Sequence, residues 1–205
     1  MTKKLFLDIE TLPADESKHT VLKTIYEDKK AKGKKVDESF ESFVIQSSLD
    51  GSFGRIFCIG VAVDNESVSC LTGSEAEIIK NFWEMAKDVN IFIGHNIFDF
   101  DLRFIYQRSI ILGVEPTQNL SFQRYRNNPI FDTMYEWSKW NLSDKISLDK
   151  LARALGLKSS KEDGMKGSLV YDYFKTGKYQ EIYNYCKADV EVTRTIYKKM
   201  NFDII

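Results

Sequence analysis

Residues 55–63, Arg-Ile-Phe-Cys-Ile-Gly-Val-Ala-Val, are apolar without the alternation of a half-exposed strand. Such a run suits a central strand covered on both faces, so the chain must place other elements above and below it. Residues 4–10, Lys-Leu-Phe-Leu-Asp-Ile-Glu, form another short apolar run, which turns acidic and meets Thr11-Leu12-Pro13. It reads as a buried strand that stops at the proline. Residues 91–94 predict a third buried strand, with a helix after it that ends near Gly113. Asp64-Asn65 supplies a turn, and residues 67–72 alternate like a half-exposed partner strand. Ser74 with Glu77 three residues on predicts a capped helix carrying Ile78, Ile79, Phe82, Trp83 and Ala86. Beyond Gly113 the pattern is helical, near 132–140, 147–156, 168–175 and 178–200. The last of these has a core stripe of Tyr179, Ile182, Cys186, Val190, Thr193 and Ile196. Strands first and helices later indicate an α/β domain.

At roughly 150 residues per domain, the 205 residues predict a single domain, 1–205, with an insertion at about 14–53. That stretch is charged and punctuated by glycine, with lysines at 29, 30, 32, 34 and 35. It reads as some helix with a mobile tip, a flap beside whatever lies at the end of the first strand. Hydrophobic residues at 43% can build a sizeable core, and a net charge of −1 excludes a histone-like chain or an acidic disordered tail. No apolar run approaches the ~18 residues of a transmembrane helix, and Asp8 breaks the opening run too early for a signal peptide. Three cysteines, Cys58, Cys70 and Cys186, with no C-x-x-C pair, argue against a disulfide framework or a zinc ribbon. A reducing, cytoplasmic setting is expected.

Three short segments carry candidate chemistry. Asp8 and Glu10 are two apart on a strand and leave the same face. Two carboxylates in an apolar strand are costly unless they share a cation, although acids where a strand exits into solvent have the same spacing. Residues 94–102, Gly-His-Asn-Ile-Phe-Asp-Phe-Asp-Leu, follow a buried strand, where ligand-binding groups of open α/β sheets collect. One of their acids could equally be a helix-start residue favoured by the dipole. Tyr185 and Asp189, four apart on the last helix, sit half-buried on the border of its core stripe. A Tyr–Asp hydrogen bond on a helix surface has the same pattern.

In order along the chain these residues read Asp, Glu, Asp, Asp, with a tyrosine four before the last. The set resembles the DEDD superfamily of 3′–5′ exonucleases in its tyrosine subclass, DEDDy. D-x-E is Asp8-Ile9-Glu10, N-x-x-x-F-D runs from Asn96 to Phe100-Asp101, and Y-x-x-x-D is Tyr185 to Asp189. Residues 164–168 and the context of Tyr185-Cys186 and Asp189-Val190 are similar to predicted bacterial exonucleases related to the proofreading domain of family B DNA polymerases. The resemblance spans most of the chain outside 14–53. It implies a ribonuclease-H-like fold, a central mixed sheet flanked by helices. It also implies metal-dependent 3′–5′ hydrolysis of phosphodiester bonds, releasing nucleoside monophosphates.

Two divalent ions, Mg²⁺ or Mn²⁺, suit such a hydrolysis and an all-carboxylate donor set. By the resemblance, Asp8 bridges both ions, Glu10 and Asp189 complete one site, and Asp101 supports the other, selected over Asp99 by the N-x-x-x-F-D register. Tyr185 orients the attacking water; with an ordinary pKa near 10 it is a better donor and positioner than a base. The expected partner is a nucleic acid with a free 3′ end, single-stranded DNA favoured and RNA possible. The backbone of Thr11 and the side chain of Leu12 would border the terminal nucleotide, Phe100 would wall the cleft, and Asn96 would contact substrate or hold the turn. Lys166 could reach a phosphate. His95 is expected to be structural or to support the site from behind. Asp99 is expected at a helix start or on the surface. The run Phe122-Gln123-Arg124-Tyr125-Arg126 reads as a solvated loop or a track for a single strand. The rival readings are a catalytically silent nucleic-acid-binding protein on the same fold and an RNA-directed exonuclease.

Overall fold

The computed structural model describes residues 2–141, 143–161 and 164–203. Strand β1 (Lys4–Leu12) takes the middle place in a five-stranded sheet. On one side it pairs antiparallel with β2 (Arg55–Val63), which pairs antiparallel with the edge strand β3 (Ser69–Leu71). On the other side it runs parallel to β4 (Ile91–Gly94), and β4 runs parallel to β5 (Ile130–Asp132). The sheet is therefore mixed, as expected.

Eight α-helices accompany it among the described residues: α1 (His19–Ala31), α2 (Phe40–Gln46), α3 (Glu75–Ala86), α4 (Asp101–Leu112), α5 (Thr133–Ser138), α6 (Leu148–Ala154), α7 (Val170–Lys175) and α8 (Tyr179–Met200). The period-2 pattern of β1 sorts its side chains into two layers. Leu5, Leu7 and Ile9 join the large core with Ile78, Phe82 and Trp83 of α3 and Leu102 and Ile105 of α4. Phe6 points the other way and packs with Val190 and Tyr197 of α8. Asp8 and Glu10 continue that second face. Ser74 and Glu77 close the expected capping box at the start of α3. Glu75 then accepts from Arg108 through both carboxylate oxygens at 2.8 Å and from the Ile56 N–H at 2.7 Å, tying α3, α4 and β2 together.

Two expectations need correction. The region after Gly113 is not purely helical, because residues 130–132 form β5. Three residues give no periodicity to detect, and Asp132 passes directly from the strand to capping α5. Tyr179 is 42% exposed and leaves the predicted core stripe. It lies in the first turn of α8, where it stacks on Phe174 at 5.4 Å instead of entering the core. Residues 14–53 hold α1 and α2 with an apolar cluster of their own: Ala14, Leu22 and Val44 packed by Phe40, Phe43 and Phe53. Lysines 29, 30, 32, 34 and 35 are all exposed. No helix among the described residues is long and apolar enough to cross a membrane.

Candidate active site

Glycine at position 60 decides how closely the last helix approaches the sheet. Gly60 of β2 lies directly opposite Asp8 of β1, and a Cβ there would meet Val190 Cγ2 at 2.9 Å and Cys186 Sγ at 3.0 Å. The missing side chain lets α8 settle on the strand pair. The Gly60 N–H donates to Cys186 Sγ at 3.1 Å, and the Cys186 thiol faces Asp8, 3.4 Å from its carbonyl oxygen and 3.6 Å from Oδ2. One oxygen each of Asp8 and Glu10, together with Cys186 Sγ, lies within 4.8 Å of the others. The register of β1 against β2 shifts between Glu10 and Thr11, which ends the regular strand at the site.

Asp101 arrives from the other layer. It is the first residue of α4, only 4% exposed, and its Oδ1 accepts the N–H of Ile9 at 3.0 Å, between Asp8 and Glu10 in sequence. The turn before it is over-determined. His95 contacts Thr133 Oγ1 at 3.0 Å through Nδ1 and the Ile146 carbonyl at 2.9 Å through Nε2. Asn96 adopts a left-handed conformation (φ 63°), which asparagine tolerates. The N–H groups of Asn96 and Phe98 donate to the two oxygens of Asp132 at 3.0 Å each. Asp132 also caps α5 through the N–H groups of Met134 and Tyr135. Sequence reasoning missed Asp132; the available signal was an acid immediately before the helical pattern that begins there.

Asp189 and Tyr185 project from α8, and both are 7% exposed, more buried than a border position implies. The reason is α7: Tyr185 packs with Leu12, Met165, Val170 and Ile182 in a cluster that covers this edge of α8. Asp189 Oδ1 is buried and has no hydrogen-bond partner among the described residues.

The electrostatics follow from this crowding. Burial, then repulsion from Asp189 and Asp101, holds Asp8 and Glu10 well above the usual carboxylate range. Burial pushes Asp101 up to about 7, against the hydrogen bond from Ile9. Asp189 is raised by burial, partly offset by the hydroxyls of Ser160 and Tyr185 and by Lys161. The Tyr185 phenol is raised by burial and by Asp189, Glu10 and Asp8, so it stays neutral. Burial holds His95 down at about 4, consistent with an uncharged ring fixed by its two contacts.

The remaining candidates are placed differently. Asp99 is no simple helix-start residue, since it lies in the turn ahead of α4. It accepts a hydrogen bond from the Tyr135 hydroxyl and pairs with Lys145 at 3.5 Å and Arg124 at 3.9 Å. Thr11 Oγ1 donates to the Ser48 carbonyl at 2.7 Å. Leu12 is buried beside Tyr185. Phe100 is half-buried, its ring 5.5 Å from that of Phe104. Lys166 is exposed, next to the buried Met165. Met165 and Tyr185 line a cavity of about 200 Å³ with Ser160, Tyr173 and Asn184.

A family model described as a predicted 3′–5′ exonuclease related to the exonuclease domain of PolB matches residues 49–203. The chain belongs to this family. The matched span of the exonuclease contains Asp101, Tyr185 and Asp189 but not Asp8 and Glu10, whose connection to the site is the geometry of β1. Among solved structures, the chain is similar to the family B DNA polymerase from the hyperthermophilic archaeon Pyrobaculum calidifontis. The TM-score is 0.69 at 17% identity, covering 98% of this chain and 25% of the polymerase. That likeness shows a ribonuclease-H-like fold over nearly the whole chain. No curated protein sequence matches the chain.

Proposed function

We propose that this exonuclease removes nucleoside monophosphates from the 3′ end of single-stranded DNA, using two divalent ions, Mg²⁺ or Mn²⁺. The observation that carries the metal is the donor set itself. Carboxylates at 8, 10, 101 and 189 converge in a space whose burial disfavours their charged forms, and Asp189 Oδ1 finds no donor among the described residues. A hard divalent cation satisfies all of these at once, because it takes oxygen ligands and neutralises the cluster.

In this reading Asp8 would serve both ions, Glu10 and Asp189 would help hold one, and Asp101 would support the other. When bound, the ions supply Lewis-acid activation of the scissile phosphate and of the attacking water. The chain's own groups do the positioning. Tyr185 keeps its proton, so its hydroxyl can donate to one oxygen and orient the nucleophile. Ile9, held by Asp101, fixes the spacing of Asp8 and Glu10. Thr11 presents its backbone and Leu12 its side chain to the terminal nucleotide. Phe100 walls the opposite side, Asn96 holds its turn near the substrate, and exposed Lys166 reaches a phosphate. The tyrosine four residues before the last acid supports the DEDDy subclass, and the relation to a DNA polymerase exonuclease domain supports DNA as substrate. Residues 14–53 are a flap, with the lysines of 29–35 meeting the strand. Free thiols at 58, 70 and 186 suit a reducing cytoplasm.

Matched DNA and RNA oligonucleotides, labelled at the 5′ end, test this with Mg²⁺ or Mn²⁺. The expected result is a ladder shortening from the 3′ end, faster on single-stranded DNA and abolished by chelation. Cuts inside the strand, or no cleavage with either ion, would overturn the reading.

A further inference from the structure

The geometry points to a second metal site, for one soft, thiophilic ion, formed by Cys58, Cys70 and Cys186. These are all the cysteines of the chain. They come from three elements, β2, β3 and α8, yet their sulfur atoms lie within 4.8 Å of one another. The placement follows from the pleat. Cys70 is paired with Gly60 across β2–β3, and Cys58 is two residues from Gly60 on the same face. Cys186 comes down from α8 onto the place a Gly60 side chain would take.

Clustered cysteines can be ordinary small apolar fillers. Here convergence adds a donor set. A tri-thiolate site with metal–sulfur bonds of ~2.3 Å has its sulfurs ~4 Å apart, so each sulfur needs to move by less than ~1 Å. Soft sulfur ligands select Zn²⁺, Cu⁺ or Cd²⁺ over the hard ions that suit carboxylates. Cys70 is only half-buried and gives the ion a way in, while Cys58 and Cys186 are fully buried. The Gly60 N–H already donates to Cys186 Sγ and would hold it as a thiolate. Binding of a divalent ion M²⁺ balances as three thiols and M²⁺ giving M(S)₃⁻ and three protons. Cys186 Sγ lies 3.6 Å from Asp8 Oδ2, so drawing it onto an ion in this site would disturb the carboxylate cluster.

The test is titration of the full chain with Cd²⁺, with Mg²⁺ in saturating excess to hold the carboxylate sites. Absorption from thiolate-to-cadmium charge transfer reads binding directly and needs no nuclease activity. Expected is saturation at one equivalent, loss of all three thiols to a thiol reagent, and falling nuclease activity over the same range. Cys70→Ser lies on the edge strand and should keep the fold and the basal activity. It should bind Cd²⁺ at least about tenfold more weakly and escape the inhibition. Circular dichroism checks the fold of the variant. Absence of a saturable band, or an identical titration of Cys70→Ser, would mean that the cysteines only fill space.

Discussion

The N–H of Ile9 donates to Oδ1 of Asp101 at 3.0 Å, joining residues 92 apart in sequence and both layers of the domain. Because the donor lies between Asp8 and Glu10, this bond sets where Asp101 stands relative to that pair. Asp99, two residues earlier, is instead engaged by Tyr135, Lys145 and Arg124.

Asp101→Asn should therefore abolish turnover, by more than the roughly 10–100-fold of changes around a metal site. Its fold should survive, since the amide oxygen can still accept from Ile9 and one buried like charge is gone. Asp99→Ala should keep most activity and lose about 1 kcal/mol of stability with the Tyr135 hydrogen bond. Turnover at saturating Mn²⁺ and thermal melts of both variants decide this. A dead Asp99→Ala beside an active Asp101→Asn would reverse the assignment.

The metal-free protein should lose stability as pH rises from ~4 to ~7. Asp101 and Asp132 keep their protons up to about 7 and about 6 when folded, whereas the unfolded chain releases them near ~4. The folded state then binds more protons, and stability falls as pH rises through that window. His95 works in the opposite sense. Its folded pKa of about 4 lies below the ordinary ~6.5, so stability falls as pH drops through that interval. The two acids outweigh the one histidine, so melting temperature under chelation should be highest near ~pH 4 and fall towards ~pH 7, and Mn²⁺ should raise it most on the alkaline side, where the carboxylates are charged. A shift from Mn²⁺ that is the same at acid and alkaline pH would count against binding by these acids.

Much of the site was legible because its motifs are local. Asp8 and Glu10 share a strand face and Tyr185 and Asp189 share a helix face, so spacing pairs them, while the resemblance to the exonuclease motifs joins the pairs and selects Asp101 over Asp99. What was not legible depends on contacts far along the chain. Asp132 acts on Asn96 and Phe98, 36 and 34 residues away, from a strand too short to carry a period. The approach of α8 depends on Gly60 meeting Cys186, 126 residues away. The burial of Tyr185 comes from α7 and Leu12, which no pattern within α8 reveals. The cysteine spacing likewise carries no metal signature, because the three thiols meet only once β2, β3 and α8 are assembled.

Asp132→Ala should be the most destabilising of the single changes at the turn. It strips an acceptor from four backbone N–H groups, those of Asn96, Phe98, Met134 and Tyr135, the last three in buried hydrogen bonds, at roughly 1–3 kcal/mol for each buried group left unsatisfied. Denaturant melts should show the loss. Activity in the remaining folded fraction should fall as well, because the turn leads directly into Asp101. A variant as stable as the parent would mean that water replaces the carboxylate.

Tyr185→Phe separates positioning from proton transfer. Burial and three carboxylates keep the phenol protonated well past its ordinary range, so it can donate but not accept a proton at neutral pH. Removing the hydroxyl should lower kcat by about 10–100-fold and leave Mn²⁺ binding unchanged. The pH profile of the variant should run parallel to that of the parent. If a limb of the profile disappears with the hydroxyl, Tyr185 titrates during turnover and acts as a base.

Gly60→Ala tests whether the site depends on how closely α8 packs. The added Cβ would lie 2.9 Å from Val190 Cγ2, 3.0 Å from Cys186 Sγ and 3.1 Å from the Cys186 carbonyl oxygen. The last of these is helix backbone, so relief requires α8 to move away from β2, and overpacking of this kind costs typically about 1–3 kcal/mol. Cys186 leaves Asp8 with that movement, and Asp189 leaves the acids of β1. Melting temperature should fall, and nuclease activity should fall further than stability explains when measured well below the melt. Mn²⁺ affinity should weaken too, since Asp189 would no longer reach the ions that Asp8 and Glu10 hold. If the variant melts early yet keeps full activity and Mn²⁺ affinity, the acids do not need α8 at this distance.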